Sequence, residues 1–134
     1  MEKNDVRLTQ LIQSFDLAVG QLQKALDQPK NEFVRDSAIQ RFEFTFELFW
    51  KILKEYCHIQ GLEYNSPRES IRGAFRLGIL ADDAIYLDML NSRNLASHTY
   101  EESIAEDIYS HLPQYLQTTK SVVKIIREKN LDKE

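Results

Sequence analysis

The sequence predicts an all-α protein, an up-and-down bundle of about five helices, and three observations carry the prediction. Apolar residues recur at three- and four-residue intervals through most of the chain. Glycine and proline are confined to 4 and 3 positions, and no strand-like alternation survives once its flanking residues are read with it. A chain of 134 residues can bury one core and is too short for two, so residues 1–134 are expected to form a single domain.

The first helix follows from Val6, Leu8, Leu11, Ile12, Phe15, Ala18, Val19, Leu22 and Leu26, which keep one face apolar. Asp27-Gln28-Pro29-Lys30-Asn31 ends it, because a proline disfavours helix at the residue before it. A second helix is predicted from Glu32 to about Ile59. Its centre, FEFTFELFW, alternates like a strand. The continuation decides for helix: Glu43, Glu47, Lys51 and Glu55 recur every four residues and form a narrow polar stripe. Phe42, Phe46, Phe49, Trp50, Leu53 and Tyr56 occupy much of the remaining surface, which demands more than one neighbour, inside a bundle or across a subunit interface. Gly61 terminates this helix in a left-handed cap.

Ser66-Pro67-Arg68-Glu69 announces the third helix, with a hydroxyl cap, a proline in the first helical position and a glutamate able to bond back to the cap. Ile71, Ala74, Phe75 and Leu77 are expected to face inward, and Gly78 is the stop signal. Arg68, Arg72 and Arg76 lie along one stripe of it, either a solvated surface or a local phosphate-binding strip. A fourth helix is expected from about Asp82, with Ile85, Leu87, Met89 and Leu90 apolar and Asp82 and Asp83 near its positive end. Thr99-Tyr100-Glu101-Glu102 predicts a capping box that starts the fifth helix at Tyr100. Ile104, Ile108, Leu112, Leu116, Val123 and Ile126 continue it, and Pro113 is expected to kink or divide it.

Composition excludes several functions. The net charge of -4 is wrong for a protein that coats nucleic acid, since such binding rests on neutralising phosphates with Lys and Arg. DNA is therefore not an expected partner, and any phosphate contact must be local. No apolar run is long enough to span a membrane, and MEKNDVRLTQ lacks the apolar stretch of a signal peptide, so a cytoplasmic protein without membrane contact is expected. The lone Cys57 cannot form an internal disulfide and sits in an apolar run that favours a buried thiol. The four glycines are scattered, so no phosphate-cradling loop exists. Zinc spacings are absent, and Cys57-His58 are adjacent residues that point apart on a helix, so neither metal nor cofactor is expected. Asp107 and His111, four apart, read as a surface ion pair.

Arg93, His98 and Tyr100 are the residues whose setting carries chemistry. A histidine exchanges protons near neutral pH, and an arginine grips a phosphate through parallel hydrogen bonds without losing its charge. Such a pair suits metal-independent phosphodiester cleavage. On an unbroken helix, five residues would separate the two side chains by roughly 140°. They converge only if the helix ends between them or a second subunit contributes. Spacing alone leaves a polar helix end and an active site both open.

The stretch RNLASHTY, residues 93–100, matches the R-x4-H-x-Y motif and resembles the HEPN proteins that accompany minimal nucleotidyltransferases, also described as nucleotidyltransferase substrate-binding proteins. RFEFTFELFWKILKEY (41–56), SPRESIRGAFRLGIL (66–80) and the DMLNSRN run (88–94) share that resemblance, which covers most of residues 41–100. It implies a helical bundle that forms a homodimer, with the motifs facing each other across a cleft. It also implies a toxin-antitoxin pair: a metal-independent endoribonuclease, neutralised by its cognate minimal nucleotidyltransferase. On this sequence His98 would be the general base or acid, Arg93 would stabilise charge on phosphorus with help from Asn94, and Tyr100 would accept AMP. A rival implication of the same resemblance is a non-catalytic subunit that binds a nucleotide or substrate for its partner, with Arg93, Arg68, Arg72 and Arg76 holding phosphate.

Overall fold

The computed structural model describes the backbone of residues 3–132 and the side chains of residues 6–130. It is all-α: α1 (Lys3–Leu26), α2 (Glu32–Ile59), α3 (Pro67–Arg76), α4 (Ile85–Leu95), a 3-10 turn (Ala96–His98) and α5 (Glu102–Asp132). No strand occurs among the described residues. α2 is the central element and packs against α1, α3, α4, the 3-10 turn and α5. No helix among the described residues is long and apolar enough to cross a membrane.

Local chemistry sets the ends of α2 and α3. Asn31 caps α2, its side chain accepting from the Val34 N–H at 2.9 Å. At the other end Gly61 takes φ of 89°. That left-handed residue lets the Leu62 N–H reach the Cys57 carbonyl and the Gly61 N–H reach the His58 carbonyl, both at 2.9 Å. Ser66 caps α3 as predicted: its Oγ accepts from the Glu69 N–H at 3.2 Å and donates to Glu69 Oε1 at 3.0 Å. Gly78, with φ of 79°, closes α3 in the same manner as Gly61, so that the Ile79 N–H bonds the Ala74 carbonyl.

The core explains the apolar excess of α2. Phe42, Phe46, Phe49, Trp50, Leu53 and Tyr56 are all buried within the chain, with Phe42 stacked on Tyr115 of α5 at 5.3 Å between ring centroids. Phe33 and Phe44 of the same helix stay exposed. Three polar residues of α2, Arg35, Thr45 and Glu55, are buried too, and the Arg35 guanidinium near the start of the helix is 4% exposed. It bonds Asp36 at 3.0 Å, Glu102 at 2.5 Å and Glu106 at 3.1 Å. Lys30 reaches Glu106 as well, so the first two turns of α5 are tied by charge to the start of α2 and to the connection before it.

Four expectations need correction. Phe75 does not face inward but is 47% exposed, because Ile71 and Ala74 already fill the buried face of a short helix. α4 begins at Ile85 and not near Asp82, since the Asp83 carboxylate takes the Ile85 N–H at 3.0 Å and holds residues 82–84 outside the helix. Thr99 does not cap α5. Its backbone is helical, φ -73° and ψ -5°, whereas a cap needs an extended residue. The helix starts at Glu102, whose carboxylate bonds Arg35 instead of reaching back. Pro113 does not divide α5, which runs unbroken through it. Pro113 lies on the exposed side, where water can satisfy the carbonyl that the missing N–H leaves free.

Candidate functional site

The motif occupies the passage from α4 to α5. Arg93 stands in the last turn of α4, the α-helix ends at Leu95, and residues 96–98 tighten into the 3-10 turn. The helix therefore does end between Arg93 and His98, the condition the spacing required. The turn is pinned from below by buried Ala96 and above by the Glu101 N–H, which bonds the His98 carbonyl at 3.0 Å. One residue earlier on α4, buried Ser92 shares a 2.9 Å hydrogen bond with the Tyr115 hydroxyl.

The polar side chains fall into two groups. Arg93 Nη2 donates to Glu47 Oε2 at 2.9 Å and Nη1 donates to Asn94 Oδ1 at 3.2 Å. His98 Nδ1 lies 3.1 Å from the Tyr100 hydroxyl, the rings tilted at 5.8 Å between centroids. His98 is exposed, and Tyr100 is 78% exposed, the phenol reaching from the surface to the imidazole. Within one chain no hydrogen bond joins Arg93 to His98 among the described residues.

Sequence reasoning missed the carboxylates that face Arg93. Glu43 and Glu47, one turn apart on α2, were legible only as a polar stripe, because their partner is 46 residues away from Glu47 in sequence. Burial pushes the Glu43 carboxyl above its ordinary value, against the pull of the Arg93 charge. Burial acts on Glu47 in the same direction but is outweighed. The Trp50 indole, the hydrogen bond from Arg93, and the charges of Arg93 and Lys51 hold its carboxyl below the usual range. The Trp50 N–H is buried and lacks a partner at full hydrogen-bond geometry, so its influence on Glu47 is that of a nearby dipole.

The other sequence candidates sit apart from this cluster. Arg68, Arg72 and Arg76 form an exposed strip on α3, with no ion pair or hydrogen bond from their side chains among the described residues. His111 bonds the Asp107 carbonyl at 2.8 Å rather than its carboxylate, which stands at 3.9 Å. His58 pairs with Glu63, while Cys57 is fully buried. Among the described residues no three or more His, Cys, Asp or Glu side chains converge as metal ligands.

The chain is similar to known proteins in both sequence and fold. A family profile described as nucleotidyltransferase substrate binding protein like matches residues 10–128. A curated Haemophilus influenzae protein named probable ribonuclease HepT is 26% identical over 98 residues, covering 69% of this chain and 67% of the relative. A crystal structure from Thermus thermophilus superposes with a TM-score of 0.80 at 38% identity, covering 84% of this chain and 98% of that one. A second Haemophilus influenzae structure, described as revealing the fold of a substrate binding domain of a nucleotidyltransferase, superposes with a TM-score of 0.67. At 23% identity, over 92% of this chain and 98% of that one, it shares the fold.

Proposed function

This chain belongs to the nucleotidyltransferase substrate binding protein like family, the HEPN proteins that accompany minimal nucleotidyltransferases, and from that premise we propose that it is a metal-independent endoribonuclease restrained by such a partner. The supporting observation is local: Arg93 stands in the last turn of α4, and exposed His98 lies in the 3-10 turn that follows it directly. His98 takes the proton from a ribose 2'-hydroxyl, the freed oxygen attacks phosphorus, and the bond from phosphorus to the 5'-oxygen breaks. The 5'-oxygen leaves with a proton, and a cyclic 2',3'-phosphate remains. Arg93, with Asn94 beside it, offsets the charge that builds on the phosphoryl oxygens. A homodimer would set two such turns across one cleft, which is the form the reading requires of the active species.

Restraint acts at Tyr100. Its exposed hydroxyl attacks the α-phosphorus of ATP held by the partner transferase, pyrophosphate leaves, and AMP becomes joined through the phenolic oxygen. That oxygen is the atom 3.1 Å from His98 Nδ1. Modification therefore adds bulk and negative charge beside the imidazole, and both oppose RNA phosphate.

The rival reading, a non-catalytic subunit that binds substrate for the transferase, draws on one observation. The Arg68, Arg72, Arg76 strip is exposed, and its side chains make no ion pair or hydrogen bond among the described residues, as suits a passive phosphate holder. One assay separates the two. Purified protein is incubated with RNA and chelator beside the His98→Ala variant. Chelator-resistant cleavage that the variant loses supports the ribonuclease, and intact RNA in both reactions supports the binding subunit.

A further inference from the structure

The proposed reaction needs Arg93 to present its donors to a phosphate, and within the motif only Asn94 bonds that long, flexible side chain. The structure supplies the missing restraint from another helix. Glu47 Oε2 accepts from Arg93 Nη2 at 2.9 Å, and Asn94 Oδ1 accepts from Nη1 at 3.2 Å. One contact to each terminal nitrogen fixes the plane of the guanidinium and leaves the Nε–H and the second hydrogens of both Nη atoms unused. We propose that Glu47 is a positioning residue, anchoring the Arg93 guanidinium so that its unused donors meet the scissile phosphate. The inference rests on the reading of Arg93 as the group that faces phosphate.

A purely structural account of the same ion pair is weak. Arg93 and Glu47 are 33% and 35% exposed, and pairs that open to solvent contribute little to stability. The packing of α2 on α4 has another source, since both helices send side chains into the buried core, Phe46 from the one and Met89 and Leu90 from the other. Charge also argues against a simple recruiting role for the site. The Arg93 charge is felt by both Glu43 and Glu47, and carboxylates beside a phosphate-binding cation weaken its long-range pull on RNA. A carboxylate that costs attraction is consistent with a benefit in orientation, because misplacing a reacting group by about 1 Å can cost roughly 100-fold in rate. The surroundings of Glu47 favour its ionised form, the better acceptor for a guanidinium.

The test combines kinetics with a spectroscopic readout of the arginine itself. Glu47→Ala should lower kcat for RNA cleavage about 10- to 100-fold, with KM unchanged or lower because a repelling charge has gone. Glu47→Gln, which keeps an acceptor oxygen, should recover most of kcat with the KM of the Ala variant. In nitrogen-edited NMR spectra the Arg93 side-chain signals should be those of a restrained guanidinium in wild type and Glu47→Gln, and should collapse to averaged signals in Glu47→Ala. Melting temperatures of the three proteins should agree closely. Unaltered Arg93 signals in Glu47→Ala, an unaltered kcat, or a Gln variant as impaired as the Ala variant overturns the inference. If wild type leaves RNA intact while the Arg93 signals still depend on Glu47, the ribonuclease reading falls and the anchoring remains.

Discussion

The His98 imidazole and the Tyr100 hydroxyl are 3.1 Å apart, so the residue proposed to do proton transfer and the residue proposed to be modified share one hydrogen bond. The bond a histidine makes through Nδ1 sets which nitrogen carries the proton, and therefore whether Nε2 is ready to act as a base.

Tyr100→Phe removes that bond without adding bulk. Losing one neutral hydrogen bond worth about 1 kcal/mol corresponds to roughly a 5-fold fall in kcat. Because Tyr100 is exposed, the melting temperature should not move. Mass spectrometry after incubation with the partner transferase and ATP should show AMP added to wild type and none to the variant. Full cleavage activity in the variant would mean that the tyrosine does not orient the histidine.

Arg35 predicts a stability effect far from the motif. Its guanidinium is buried and bonded to Asp36, Glu102 and Glu106, and those carboxylates raise its already high pKa further. Arg35→Ala should destabilise the protein by about 2 kcal/mol, from lost charged hydrogen bonds and lost packing of the aliphatic stem. The shift of the urea midpoint measures it. A change below about 0.5 kcal/mol would place Arg35 among ordinary surface charges.

Glu106 gives the acid limb of stability a definite sign. Hydrogen bonds from Lys30, then from Arg35, hold its carboxyl below the usual glutamate range. Its contribution is complete above the unfolded value of about 4.3 and is lost as pH falls through the lower folded value. Glu106→Gln should therefore melt below wild type at neutral pH, and the gap should narrow as pH drops from about 5 toward 3. A gap that stays constant over that range would exclude the linkage.

Cys57 should be inert in the folded protein. The residue is fully buried, and burial pushes its thiol up to about 11, so thiolate is scarce at mildly alkaline pH. Iodoacetamide at pH about 8 should label it only after denaturant is added, with a labelling rate that follows global unfolding. Rapid labelling of native protein would contradict the burial of this helix face.

Most of the fold was legible because its signals are local. Ser66, Gly61 and Gly78 each act on backbone groups within a few residues, and α3 starts and α2 and α3 stop where those residues place them. Thr99 misled because a threonine followed three residues later by glutamate fits a capping box, but the choice was made elsewhere. Arg35, 67 residues earlier, takes the Glu102 carboxylate, and the 3-10 turn keeps Thr99 helical. The candidate site divides along the same line. Arg93, Asn94, His98 and Tyr100 lie in one short stretch that carried the family resemblance, although their spacing alone fitted a polar helix end equally well. Glu47 is joined to Arg93 only by the packing of α2 on α4, and nothing in a spacing of 46 residues distinguishes it from the neighbouring acids on its stripe.

The 3-10 turn has a mechanical consequence. No slack separates Arg93 from His98: α4 passes directly into Ala96–His98, so their relative bearing is fixed by the pitch of a coil and not by a flexible tether. Adding one residue within the turn would swing the imidazole about 120° round the axis, carrying it off its bearing while both flanking helices stayed folded. The interval between these side chains is thus a gauge cut into the backbone, which point substitutions leave intact and a single inserted residue resets.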